Sequence, residues 1–361
     1  MKRCGNCGFP AKLADSFEWR GDGTIISTDR TRTKARVAIL EVREFERLFS
    51  DLSDAIGFSI DSLLITAQKN IGKQMYASLT AAHVKGLPTN WLFRPQFLAK
   101  LLARLVARDA GILGGGTPRV VSYKAGRQLV LRFINPVVVP RVVGNALGIY
   151  ESVEEMPSSR VEYHMENGDL IITMSHGGEG PEPEATRRLY LEEITPSERN
   201  ITYARCGSCN VPTAISEALE WDIGRGTITN RKTGRREVVV AVQSTNAILR
   251  ELESELGEDV PRLIYENQKA YTLDSLRGAT ADDRDAFWQG YLEDLALRGL
   301  GYPSVFESDD RGVYLEISNA YTQDLYAARI AAALEALTGK ASEVEWMERQ
   351  RDYAAYRIRI H

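Results

Sequence analysis

Apolar residues recur along this chain with two periods, and the same succession of periods runs through it twice. Val42, Phe45, Leu48, Phe49, Leu52 and Ile56 stand three or four positions apart, and Ile248, Leu249, Leu252 and Leu256 repeat that spacing. Each stripe predicts an amphipathic helix, with Gly57 and Gly257 as its stop. A second helix is expected from Ile60 and from Pro261, where proline suits a first turn; these carry Gln68-Lys69 and Gln268-Lys269. A third is expected over roughly 95–110 and 282–298. Gly114 to Gly116 follow the first of these, and Gly299 and Gly301 the second. Phosphate-cradling glycines precede a helix, whereas these follow one and read as C-caps.

The period then shortens to two. Leu129 to Phe133 and Val313 to Ile317 predict strands, and the alanine-rich run from Gln323 to Thr338, closed by Gly339, predicts a helix. Arg160 to His164 and Leu170 to Met174 flank Asn167-Gly168, a strong hairpin signal, and Glu343 to Arg349 with Tyr353 to Ile360 form the counterpart. The expected fold class is α+β, an internal tandem repeat. Each copy is a β-hairpin followed by helices on a small, mostly antiparallel sheet. The copies span 1–176 and 200–361. The linker between them, 177–199, is rich in glycine, proline and glutamate. Extra residues around Thr80 to Trp91 lack a counterpart, and His83 to Trp91 reads as an insertion, either a packed loop or a lid or partner-binding loop.

All four cysteines of the chain open these copies. Cys4-Gly5-Asn6-Cys7 is answered by Cys206-Gly207-Ser208-Cys209, and both pairs are followed by a proline, Pro10 and Pro212. A C-G-x-C turn presents two thiolates on one side, half of a tetrahedral site. The expectation is that Cys4, Cys7, Cys206 and Cys209 share one Zn²⁺. A redox dithiol, a disulfide within each pair, iron, and pairing with another chain are the alternatives.

Composition bounds the rest. The 361 residues, 43% apolar and 26% charged, suit a globular chain of two ordinary domains, and no apolar run is long enough to span a membrane. The stretch Met1-Lys2-Arg3-Cys4 lacks the apolar core of a signal peptide, so a cytoplasmic location is expected. A net charge of −4 gives no general attraction for nucleic acid. Two hairpin tips are nevertheless basic: Arg231, Lys232, Arg235 and Arg236, and Arg30, Arg32, Lys34 and Arg36. They read as solvated turns or as contacts for nucleic acid or an acidic partner, with nucleic acid the less favoured partner. No catalytic set emerges: His83, His164, His176 and His361 have no repeated partner, and no G-x-S-x-G motif occurs. A binding or adaptor role is therefore expected ahead of an enzyme, with oligomeric state left open.

The order of elements resembles the 4-vinyl-reductase-like domain, which is related to small subunits of vesicle-tethering complexes. The stretches from Ile112 to Met174 and from Leu297 to Ile360 carry the resemblance. The family's L-G-x-G turn is met by Leu113-Gly114-Gly115-Gly116, and Leu300-Gly301-Tyr302-Pro303 departs from it. The resemblance implies an apolar small molecule, or a protein partner, held between helices and sheet. The implied pocket is lined by Leu64, Ile71, Leu101 and Leu105 in one copy and by Ile264, Tyr271, Leu292 and Leu295 in the other.

Overall fold

A computed structural model describes residues 2–28, 34–83, 111–124, 126–177, 201–278 and 283–361, with backbone alone for 74–83. The expected helix over 95–110, most of the linker, the stretch after His83, and Leu101, Leu105, Arg30 and Arg32 lie outside the described residues. The described residues form a mixed α+β protein with three antiparallel sheets.

The chain starts with a short helix α1 (Ala11–Ala14) and strands β1 (Phe17–Trp19), β2 (Ile25–Thr28) and β3 (Lys34–Glu41). Helices α2 (Val42–Ile56) and α3 (Asp61–His83) follow, so Thr80 to His83 continue a helix and do not begin a loop. Then come β4 (Thr117–Lys124), β5 (Gln128–Ile134), α4 (Val139–Val153), β6 (Ser159–Glu166) and β7 (Asp169–His176). The later half runs α5 (Thr213–Ala218), β8 (Leu219–Asp222), β9 (Thr227–Asn230), β10 (Arg236–Ala241), α6 (Val242–Leu256) and α7 (Val260–Ser275). It ends with α8 (Arg284–Leu297), β11 (Tyr302–Asp309), β12 (Gly312–Ser318), α9 (Gln323–Thr338), β13 (Ser342–Arg349) and β14 (Tyr353–Ile360).

Two four-stranded sheets have matching orders, β4-β5-β7-β6 and β11-β12-β14-β13. A glutamate bonded to the start of the next strand marks the matching register of the helix on each. Glu335 of α9 accepts from the backbone N–H and hydroxyl of Ser342 at 2.6 and 2.9 Å, and Lys269 lies 2.7 Å away. Glu151 of α4 takes Ser159 in the same way at 2.9 and 2.9 Å, with Lys73 at 2.8 Å. On that register Arg141 of α4 corresponds to Leu325 of α9.

The third sheet, β1-β2-β3-β10-β9-β8, draws three strands from each half. Its central pair is antiparallel, with Ile39 opposite Val239, Ala38 opposite Val240 and Leu40 opposite Val238. Packing crosses over from this sheet. Helix α2 lies against α7, and α6 against α3, so each half's first long helix rests on the other half's second. One continuous core therefore takes Phe45, Leu52 and Leu64 from the early half together with Ile248, Ile264, Leu292 and Tyr326 from the late half.

The loops after the expected third helices serve the crossover. Leu113 accepts from the Val239 N–H and Arg298 from the Ile39 N–H, each at 2.8 Å. The adjacent Gly114 (φ +81°) and Gly299 (φ +80°) do more than end helices. A Cβ at Gly114 would sit 2.6 Å from the Glu237 carbonyl oxygen, and one at Gly299 would sit 2.7 Å from that of Val37. Only glycine permits both the backbone angle and that approach.

Candidate metal centre

Each CxxC pair sits in a tight knuckle closed by its own backbone. In the first, Gly8 N–H donates to the Cys4 carbonyl at 2.9 Å and Cys4 N–H to that of Phe9 at 2.8 Å. In the second, Asn210 N–H donates to the Cys206 carbonyl and Cys206 N–H to that of Val211, both at 2.9 Å. The turn needs a left-handed residue, supplied by Gly8 (φ 72°) and by Asn210 (φ 60°), the side chain that best tolerates it after glycine.

The knuckles face each other. Cys4 Sγ lies 3.8 Å from Cys206 Sγ, and Cys7 Sγ lies 3.5 Å from Cys209 Sγ. All four sulfurs fall within 4.8 Å of one another. A disulfide requires about 2.05 Å, so these are four separate thiols. A tetrahedron with metal–sulfur bonds of about 2.3 Å has sulfur–sulfur edges of about 3.8 Å. The observed spacing fits a four-coordinate cation in size, and the cluster can hold a metal ion.

The surroundings favour the thiolate at Cys4 and Cys206 and oppose it at Cys7 and Cys209. Backbone N–H groups of Cys7 and Asn6 point at the Cys4 sulfur and lower its pKa to about 6. Those of Ser208 and Cys209 lower Cys206 likewise. Burial pushes Cys7 up, and Cys209 up to about 12. A bound cation reverses that second effect, because a coordinating thiol gives up its proton.

Contacts across the centre lock the knuckles together. Asn6 Nδ2 donates to Ser208 Oγ at 2.7 Å. Arg3, on the first knuckle, donates to the Trp221 carbonyl at 2.5 Å, and Arg205, on the second, to that of Trp19 at 2.8 Å. Each arginine also donates within its own knuckle, Arg3 to the Gly8 carbonyl and Arg205 to that of Asn210. These two arginines escaped the sequence reading, although both halves read Arg-Cys-Gly. Beneath them Phe9 packs edge-on against Trp221 and Trp19, with ring centres 4.8 and 6.0 Å apart. Trp19 Nε1 donates to the Leu297 carbonyl, and Trp221 Nε1 to that of Ile112.

A cavity of about 270 Å³ lies where β10 meets α4 and β5, bounded by Gln68, Leu131, Phe133, Arg141, Tyr150 and Val239 among others. Of the residues expected to line a pocket, the six that are described sit elsewhere. Leu64, Ile71, Ile264, Leu292 and Leu295 are buried in the continuous core, and Tyr271 donates its hydroxyl to Glu41 at 2.6 Å. None of these six is in the cavity wall. The equivalent space of the late half holds α8, whose Trp288 ring packs 5.0 Å from that of Phe306. The sequence counterpart of α8 lies outside the described residues.

The basic hairpin tip is largely engaged within the chain. Arg231 pairs with Glu220 at 2.9 Å, Arg235 pairs with Glu41 at 3.0 Å, and Arg236 donates to the Asn135 carbonyl at 3.1 Å. No helix among the described residues is long and apolar enough to cross a membrane. No protein-family model matches this chain, and no curated protein or solved structure shows significant similarity to it.

Proposed function

We propose that the protein is a non-enzymatic binding or adaptor protein, built by internal duplication and clamped by one Zn²⁺, that holds an apolar small molecule. The copies in this reading are 1–176 and 200–361, joined by 177–199, each with a zinc-knuckle hairpin and a 4-vinyl-reductase-like α+β part. The matching sheet orders and the paired Glu151 and Glu335 support duplication. Zinc is the metal of choice because four soft thiolates in a closed tetrahedron define a structural site. Once bound, it supplies four bonds that join distant parts of the chain, and those bonds stabilise the crossed arrangement.

The observation that carries the binding role is the apolar cavity at the junction of the halves, the kind of place where small-molecule sites concentrate. The nucleic-acid alternative loses ground, since Arg231 and Arg235 already have carboxylate partners. Native mass spectrometry of gently purified protein tests the reading. The expected mass is the chain plus one zinc plus a small organic molecule that departs on denaturation. A chain that carries neither contradicts it.

A further inference from the structure

The cavity wall is mostly apolar, built from side chains such as Leu131, Phe133, Val142, Ala146 and Val239, with Gln68 and Asn145 among its polar members. Arg141 is the single charged side chain among the described residues of that wall. Its Nε donates to Gln68 Oε1 at 2.9 Å, and its guanidinium carbon stands 4.7 Å from the centre of the Phe45 ring. Neither partner carries a negative charge. Burial lowers the Arg141 pKa to about 10, and no carboxylate opposes that effect.

An arginine carries five N–H donors, so one bond to Gln68 leaves most of the fork unused. Arg141 is half-buried, its other N–H donors have no protein partner among the described residues, and a partly desolvated cation without an anion carries a cost. The late half offers an internal control. The position corresponding to Arg141 is Leu325, 1% exposed and packed in a filled core. That helix position accepts a leucine where α8 covers it, whereas the arginine lines a cavity.

We propose that the cavity binds a monocarboxylic acid with a hydrocarbon body, its carboxylate seated on the Arg141 guanidinium and its chain against Leu131, Phe133 and Val142. A planar fork matches a carboxylate in two parallel hydrogen bonds. Among the described residues no second basic side chain joins Arg141 in the wall, which suits a single negative charge better than a phosphate. The inference rests on the apolar-ligand reading above and names the ligand class for that same cavity.

The experiment titrates decanoate and 1-decanol into the full-length, zinc-loaded protein by calorimetry. Decanoate should bind at least about tenfold more tightly than decanol, the margin of a charge-assisted pair. Arg141→Met should abolish that preference while decanol affinity changes less than about threefold. Arg141→Lys, which keeps the charge and loses the fork, should fall between. Thermal melting checks that each variant is folded, and the decanoate-to-decanol ratio of the unmutated protein needs no variant at all. Equal binding of acid and alcohol, or a preference that survives Arg141→Met, overturns the carboxylate assignment and leaves the apolar-ligand reading standing. Failure of both probes to bind, as when the chain itself fills the space, overturns the two together.

Discussion

Ile39 and Val239 lie directly opposite each other at the middle of the six-stranded sheet, and each sends its N–H to the other half of the chain. The pair marks an approximate two-fold centre: neighbours exchange symmetrically on either side, and the knuckles meet across the same relationship. Both residues are nearly fully buried in the core beneath the knuckles. Ile39→Ala should cost about 3 kcal/mol, within the usual range for emptying such a site. Because both halves feed the cores around it, urea unfolding followed by tryptophan fluorescence and by circular dichroism should shift as one transition. Two separated transitions would show that the halves fold independently.

The glycine at the crossover gives a sharper contrast. Gly299→Ala places a methyl 2.7 Å from the Val37 carbonyl oxygen at φ +80°. It should destabilise by about 2 kcal/mol or more. Gly290, exposed in the middle of α8 with nothing within 4 Å of its absent Cβ, should behave in the opposite way. Gly290→Ala should stabilise by about 0.5–1 kcal/mol through helix propensity and a less flexible unfolded chain. Denaturant midpoints of the two variants check both signs.

A buried ion pair joins the halves between Glu44 of α2 and Arg329 of α9. Arg329→Met leaves the carboxylate unpartnered and should cost about 3–5 kcal/mol. Replacing both, Glu44→Leu with Arg329→Met, should recover most of that loss, since well-packed apolar residues often match a buried pair. A double-mutant cycle measures the coupling. A double variant as unstable as the single would show that local packing, not the charge pair, holds these helices together.

Arg3 and Arg205 position the knuckles and are not ligands themselves. Arg205→Ala should weaken metal binding by about tenfold, as loss of a supporting contact commonly does, without changing stoichiometry. Competition with a chromophoric chelator reads that affinity. An unchanged affinity would confine the arginine to ordinary surface contact.

Much of this was legible in the chain, for identifiable reasons. The four cysteines announced a shared centre because no other thiol could complete either pair. The stripe from Val42 to Ile56 gave its helix and its stop at Gly57, which caps it in the left-handed conformation. Asn167-Gly168 gave the turn between β6 and β7. What stayed hidden is the crossover. Apolar spacing reports which face of α2 is buried, not whether α3 or α7 covers it. The six described residues that the resemblance offered for a pocket are not in the cavity wall. That wall takes Phe45, Gln68 and Arg141 from three helices of the early half and Val239 from the late half, across the central strand pair.

The shared metal is the centre of the account, and metal stoichiometry across cysteine variants tests it most directly. Wild-type protein should carry one zinc per chain and release it as pH falls, because protons compete for thiolates. Cys206→Ser and Cys4→Ser should each carry none while keeping most of their helix content by circular dichroism. X-ray absorption of the loaded protein should show four sulfurs at about 2.3 Å. Two metals per chain, or full zinc retention after loss of one knuckle, would contradict it.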